Sequence, residues 1–208
     1  KASLETKAFK ILQIYVNTPL IWGIYTGKNS QWHSLSDVSA PTFCISRPGS
    51  GSQLMAYLLH RREEWHNQIL QFKEVGNLSG ALLALQENPE QLFLWERFMT
   101  KPYVDSGTLK KIGEIPTPWP SFCIAVRNDI LVERRDALIE ILYTISDYTY
   151  KFKQHSLESS DYISNYFNFS IQDMKEWLRG TEWNYFLDKP QLKMEGVFSF
   201  LKEMKLIS

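Results

Sequence analysis

The chain has 208 residues, enough for one large domain or two lobes that each bury a core. Its 23 Lys+Arg offset its 23 Asp+Glu, so no net field draws it to nucleic acid or to an anionic membrane. With 44% hydrophobic and 22% charged residues the composition is that of a folded globular protein, and no run is long and apolar enough to span a bilayer.

Residues 9–26, rich in Ile, Tyr, Val and Trp and interrupted by Pro19, predict one or two strands with a kink. Residues 27–40 are polar and predict a loop with a short helical turn. A strand at 42–46 and a helix at 52–67 form a βα unit. A brief strand at 71–75 precedes a helix over 79–87 capped by Asn77 or Ser79. Leu92-Phe93-Leu94-Trp95 predicts a short buried strand ending at Glu96, followed by a helix over 97–111 broken at Pro102 and Gly107. Residues 112–115 predict another strand, and Pro116-Thr117-Pro118-Trp119-Pro120 a stiff extended connection. After a strand at 121–126 the period changes to that of a long helix, with Leu131, Leu138, Ile141, Leu142 and Ile145 on one face. Helices near 157–167, 170–179 and 190–205 finish the chain. Strands alternating with helices through the first 126 residues predict an α/β architecture with largely parallel strands, whose ligands bind beyond the strands' carboxyl ends.

The stretch Phe43-Cys44-Ile45-Ser46-Arg47-Pro48-Gly49-Ser50-Gly51-Ser52 carries the strongest chemical signal. A strand runs into a Gly/Ser turn and then a helix start, whose unpaired N–H groups and dipole favour an anion. Glycines admit close approach, serine hydroxyls add donors and Arg47 adds charge; the same residues also suit an ordinary Ser-capped helix. Ser46-Arg47 and Glu96 both follow short buried strands and so belong to one sheet edge. Cys44 and Cys123, each in an apolar strand-like run, are expected to be buried thiols rather than a disulfide, metal site or nucleophile. Of the four His (His33, His60, His66, His155), His60 and His66 fall six apart on a helix and share no face, against a metal pair. No catalytic triad, P-loop or dinucleotide fingerprint is present, and no cofactor is expected.

Taken together, Thr18-Pro19-Leu20-Ile21-Trp22, residues 45–52, Phe93-Leu94-Trp95-Glu96-Arg97-Phe98 and residues 122–129 resemble the type II periplasmic-binding-protein fold. The resemblance is to its nitrate/sulfonate/taurine-binding and thiamine-pyrimidine-precursor branch, in a subgroup outside transporters, and covers roughly residues 9–150. It implies two α/β lobes flanking a ligand cleft. Residues 1–27 would be the end of lobe 1 and the first crossing strand, 28–118 lobe 2, and 119–208 the return crossing and C-terminal helices on lobe 1. The opening βαβ half of the first lobe is then expected to be missing.

The implied ligand-binding residues are Ser50, Gly51 and Ser52, with Ser46 and Arg47 nearby and Glu96 as an acceptor for an amine or hydroxyl. Glu96 equally suits a salt bridge to Arg97 or Lys101. Trp22, Trp95 and Trp119 suit an aromatic wall or the core, and Thr18 a hydroxyl at the first crossing. The resemblance implies a non-enzymatic binding protein for a small anionic or zwitterionic ligand, closing on it by hinge rotation. Two alternatives stand beside it: an enzyme of pyrimidine or thiamine-precursor metabolism on the same fold, whose cysteine-rich iron motif this chain lacks, and a protein-interaction module. No nucleic-acid partner is expected, and the oligomeric state is open. Residues 1–10 carry no signal-peptide pattern, so a cytoplasmic location is expected, or a periplasmic or extracellular one if a signal lies outside this sequence.

Overall fold

The computed structural model describes residues 8–65 and 69–185. They divide into two compact units: unit 1 contains the residues up to Pro19 and those from Pro118 onward, and unit 2 runs from Leu20 to Thr117. The expected helix at 190–205, residues 66–68 at the end of the expected 52–67 helix, and His66 lie outside the described residues.

In unit 1, β1 (Phe9–Val16) pairs antiparallel with β7 (Phe122–Arg127) in a two-stranded sheet. Val16, Leu178 and Trp183 pack into one core cluster, with Tyr15, Phe152 and Trp177 against it. An isolated bridge from Val16 to Trp183 and a hydrogen bond from Gln13 Nε2 to the Asn184 carbonyl (2.8 Å) tie β1 to the segment after the last described helix.

Unit 2 is a five-stranded mixed sheet in the order β4-β3-β5-β2-β6, formed by β2 (Ile21–Gly27), β3 (Thr42–Ile45), β4 (Gln71–Glu74), β5 (Gln91–Glu96) and β6 (Leu109–Pro116). β3 lies parallel to β4 and β5, whereas β2 is antiparallel to β5 and β6. The largely parallel expectation therefore holds only for the βα-connected strands. β2 pairs across long sequence separations that no local alternation encodes. Around this sheet, α1 (Gly51–Arg62) buries Met55, Ala56 and Leu59, and α2 (Leu78–Glu87) buries Ala81, Ala84 and Leu85, the spacing of one helical face. The core against α2 is formed by Tyr25, Cys44, Phe93 and Leu109.

Pro102 does not break its helix. α3 (Arg97–Asp105) continues through it at the cost of the bond its N–H would have made, and the Ser106 N–H still reaches the Pro102 carbonyl at 3.0 Å. Gly107, at φ 70°, ends the turn, and residues 109–111, expected to be helical, instead pair with β2. The long helix expected from residue 130 is two: α4 (Asn128–Glu133) and α5 (Arg135–Gln154), joined at Arg134. Of its predicted apolar face Leu142 is buried, but Ile141 is 53% exposed. α6 (Ser156–Phe167) and α7 (Ile171–Gly180) follow, α6 ending in the left-handed residue Asn168 and α7 capped by Ser170. Cys44 is buried as expected, but Cys123 is exposed. Its strand belongs to a two-stranded ribbon rather than to the middle of a sheet, and such a ribbon covers fewer of its side chains.

Candidate functional site

The parallel strands β3, β4 and β5 each run directly into a helix, so α1, α2 and α3 all start at the same edge of the unit 2 sheet. Each start has its own cap: Ser50 Oγ accepts from the Gln53 N–H, Asn77 Oδ1 from the Gly80 N–H (3.0 Å) and Glu96 Oε2 from the Met99 N–H (2.8 Å). β2 begins at this edge too, since Trp22 pairs with Glu96 on one side and with Ile115 on the other.

The turn before α1 follows from its residues. Pro48 presets φ for the second position of a β-turn and Gly49, at φ 75°, supplies the positive φ that a type II turn demands at the third. The Ser50 N–H closes it on the Arg47 carbonyl at 3.1 Å. Gln53 reaches back with Oε1 to accept from the Gly49 N–H at 2.7 Å. Inside the turn, the Ser46 N–H donates to Ser52 Oγ at 2.9 Å, and Ser52 Oγ lies 3.0 Å from Ser50 Oγ. The three serines are buried, at 8%, 6% and 2% exposure for Ser46, Ser50 and Ser52. Their hydroxyls thus hold the turn, and what the turn presents outward is the exposed backbone at Gly51, at the electropositive start of a twelve-residue helix.

Trp22 stands over that backbone. A Cβ on Gly51 would meet the indole Cη2 at 3.3 Å and Cζ2 at 3.4 Å, so the glycine is what lets the ring lie this close. The indole Nε1–H, one ring atom beyond this edge, is buried with no hydrogen-bond partner among the described residues. A buried orphan donor costs about 1–3 kcal/mol and is a sign of a missing acceptor. Trp95 meets Trp22 edge-on, with ring centroids 6.3 Å apart, and stacks on Phe93 at 5.3 Å. Glu96, paired across the ladder from Trp22, is half-buried, and desolvation raises its carboxyl above the ordinary glutamate range against the lowering by the Met99 N–H. The cations considered as its partners have other contacts: Lys101 binds Asp105 at 2.6 Å, and Arg97 lies 3.9 Å from Glu114.

The structure therefore brings Trp22, Ser46, Ser50, Gly51, Ser52, Trp95 and Glu96 together at one edge of unit 2, with Arg47 on the exposed outer side of the turn. Thr18 and Trp119 belong to unit 1. Thr18 uses its carbonyl to accept from the Ser121 N–H (3.2 Å), and its hydroxyl accepts from the Glu182 N–H at 3.4 Å. Two supporting residues escaped the sequence reading. Tyr25 Oη lies 2.5 Å from Thr100 Oγ1, which in turn lies 3.0 Å from the Glu96 carbonyl oxygen, so a buried hydroxyl pair props the Glu96 corner. Burial pushes the Tyr25 phenol up to about 12, which keeps it a neutral hydrogen-bonding group. The two residues are 75 apart in sequence, and no local pattern marks them. Among the described residues no group of acidic, His or Cys side chains is arranged to hold a metal.

This arrangement can bind an acceptor group at the Gly51 amide end and the Trp22 N–H, and a donor or cationic group at Glu96, with indole surface between them.

Residues 22–115 match the family model described as Ca3427-like PBP. No curated protein matches the chain in sequence. Among solved structures, the Candida albicans CA3427 gene product, described as defining a family with the generic periplasmic-binding-protein fold, is 26% identical with a TM-score of 0.83. The match covers 98% of this chain and 68% of that one. The ligand-binding component of an ABC-type import system from Staphylococcus aureus, solved with zinc bound, is 14% identical with a TM-score of 0.71, over 99% of this chain and 70% of that one. The alkanesulfonate-binding protein SsuA from Xanthomonas axonopodis pv. citri, bound to MOPS, is 9% identical with a TM-score of 0.71, over the same shares.

Proposed function

We propose that this chain, which has the periplasmic-binding-protein fold, works as a ligand-binding protein rather than an enzyme, and that it takes a small anionic or zwitterionic molecule at the start of α1. The observation that carries the reading is the unpartnered Trp22 Nε1–H beside the Gly51 backbone, an empty donor set where helix dipole and amides already favour negative charge. Glu96 would then orient an amine or hydroxyl of the same ligand. Solved structures of the same fold, described as binding an alkanesulfonate or serving an import system, support this kind of role. The reading extends to closure of two lobes on the ligand, with the contribution of Thr18 and Trp119 part of that proposal, and to a location in the cytoplasm unless a leader precedes this sequence.

The test is a thermal-shift screen with MOPS, taurine, nitrate, bicarbonate, amino acids and pyrimidines, followed by titration calorimetry on each hit. Trp22→Phe keeps a ring and removes the donor; Gly51→Ala places a methyl in the approach. Both are expected to weaken a hit by about tenfold or more, the loss of one charge-assisted hydrogen bond. A hit whose affinity neither substitution changes overturns the site.

A further inference from the structure

Unit 1 contains a half-open cavity of about 310 Å³ bordered by the end of α5, the start of α6 and the last turns of α7. Three cations line it, Lys153, Lys175 and Arg179, and among the described residues no carboxylate does. Such a volume is at the small end of ligand pockets.

The three cations are not equivalent. Lys153 Nζ reaches the carbonyl oxygens of Leu178, of Arg179 at 3.2 Å and of Thr181 at 2.7 Å. It therefore caps the last turn of α7, satisfying acceptors that helix geometry leaves open and offsetting the negative end of that dipole. Burial draws its ammonium below the ordinary lysine range, with Glu182 opposing. Its three donors are spent on carbonyls, yet its charge stays beside the cavity. Lys175 and Arg179 are one turn apart on α7 and have no ion-pair partner among the described residues. Their charges suit the C-terminal end of α7 and face the same cavity as Lys153.

The opposite wall is preset for the same charge. α6 starts at Ser156, its electropositive end, and His155 before it contributes no side-chain cap. Ser160, 1% exposed, and Ser159 anchor that turn through hydroxyls donating to the carbonyls of Ser156 (2.6 Å) and Phe152 (2.7 Å). The acidic groups close by are Glu158, 3.7 Å from His155 Nδ1, Asp173 and Glu176 on α7, and Glu182, whose charge acts on Lys153; among the described residues none of them lines the cavity. Leu178 and Leu157 supply apolar surface, the latter 65% exposed.

We propose that this cavity binds a small organic oxyanion, a phosphate monoester or a sulfonate. Lys175 and Arg179 hold its tetrahedral head and Leu157 with Leu178 receives a short carbon part. The site is independent of the one at the start of α1, sharing no residue with it.

Phenyl phosphate and inorganic phosphate, titrated into the whole chain with amide shifts followed by NMR, test it. Expected are saturable shifts at residues 156–160 and 175–181, with phenyl phosphate binding more tightly than phosphate. The double variant Lys175→Gln/Arg179→Gln is expected to weaken phenyl phosphate by tenfold or more. Lys101→Gln, a charge change in unit 2, is expected to leave it unchanged. Lys175→Gln alone serves if the double variant folds poorly. Absence of saturable shifts at these residues, equal loss in Lys101→Gln, or unchanged affinity in the cavity variants overturns the proposal. Shifts confined to residues 46–52 and 96–99 would place the probe at the α1 site and overturn this one while leaving that one standing.

Discussion

Gly23 offers a sharp test of how tightly the core between the unit 2 sheet and α2 is packed. A Cβ at this position would lie 1.8 Å from Tyr25 Oη, 2.2 Å from Cζ and 2.6 Å from Cε2, separations no side chain tolerates. Tyr25 has nowhere to go: it is 1% exposed, packed with Phe93 and Cys44, and its hydroxyl sits 2.5 Å from Thr100. Gly23→Ala must therefore push the phenol off its rotamer. Overpacking of a dense core costs about 1–3 kcal/mol. Parting the Tyr25 and Thr100 hydroxyls, both buried, adds about 1–3 kcal/mol more. The gain from replacing a strand glycine recovers at most about 1 kcal/mol. The net expectation is a loss of about 1–6 kcal/mol, a large part of a typical domain's stability. Urea denaturation by tryptophan fluorescence measures it, and Tyr25→Leu in the Gly23→Ala background should recover part of the loss, a non-additivity that marks direct contact. A Gly23→Ala chain within about 0.5 kcal/mol of the parent would refute the packing argument.

Three further outcomes follow from the same geometry. Ser52→Ala leaves the buried Ser46 N–H without its acceptor and is expected to cost about 1–3 kcal/mol, with faster hydrogen exchange at Ser46; unchanged exchange there would show that the hydroxyl does not hold the turn. Glu96 has its folded-state carboxyl raised above the unfolded value, so the folded chain holds that proton more tightly and this group's contribution declines as pH rises from the unfolded pKa through the folded one. Glu96→Gln, which keeps an acceptor for the Met99 N–H, is therefore expected to gain in Tm relative to the parent as pH moves from 4 to 7, and a constant difference would count against it. Of the two thiols, exposed Cys123 should react quickly with a disulfide reagent, whereas Cys44, its thiol pushed up to about 11 by burial and donating to Gln91 at 3.1 Å, should react only on unfolding.

The sequence was most informative where a local rule has a sharp residue signature. Pro48-Gly49 dictates a type II turn, and Ser50 with Gln53 dictates a helix start, so the turn before α1 is legible from the chain alone. Asn77 as the cap of α2 is legible for the same reason. The Tyr25–Thr100 pair, the edge-on meeting of Trp22 with Trp95 and the antiparallel insertion of β2 between β5 and β6 were not, since each joins segments tens of residues apart. Pro102 misled because a proline bars only its own N–H from the ladder, and here α3 runs on through it for three further residues. Arg97 and Lys101 were natural guesses as partners of Glu96 by proximity in sequence, but helical spacing directs Lys101 toward Asp105, four residues on.

The two ends of unit 2 are fastened to each other: the Thr117 N–H donates to the Leu20 carbonyl at 2.9 Å and the Leu20 N–H to Thr117 Oγ1 at 3.0 Å. This clasp has a bearing on the order of folding. β1 and β7 must find one another across everything between Leu20 and Thr117, a loop on the order of a hundred residues whose closure costs about 4 kcal/mol of chain entropy. Once the inserted segment has folded and its ends have met, the same strands are separated by only a few free links on either side. The closure cost then falls by about 3 kcal/mol. The insert thus acts as a staple for the strands that flank it, and the pairing of β1 with β7 is expected to follow the folding of unit 2 in a refolding time course.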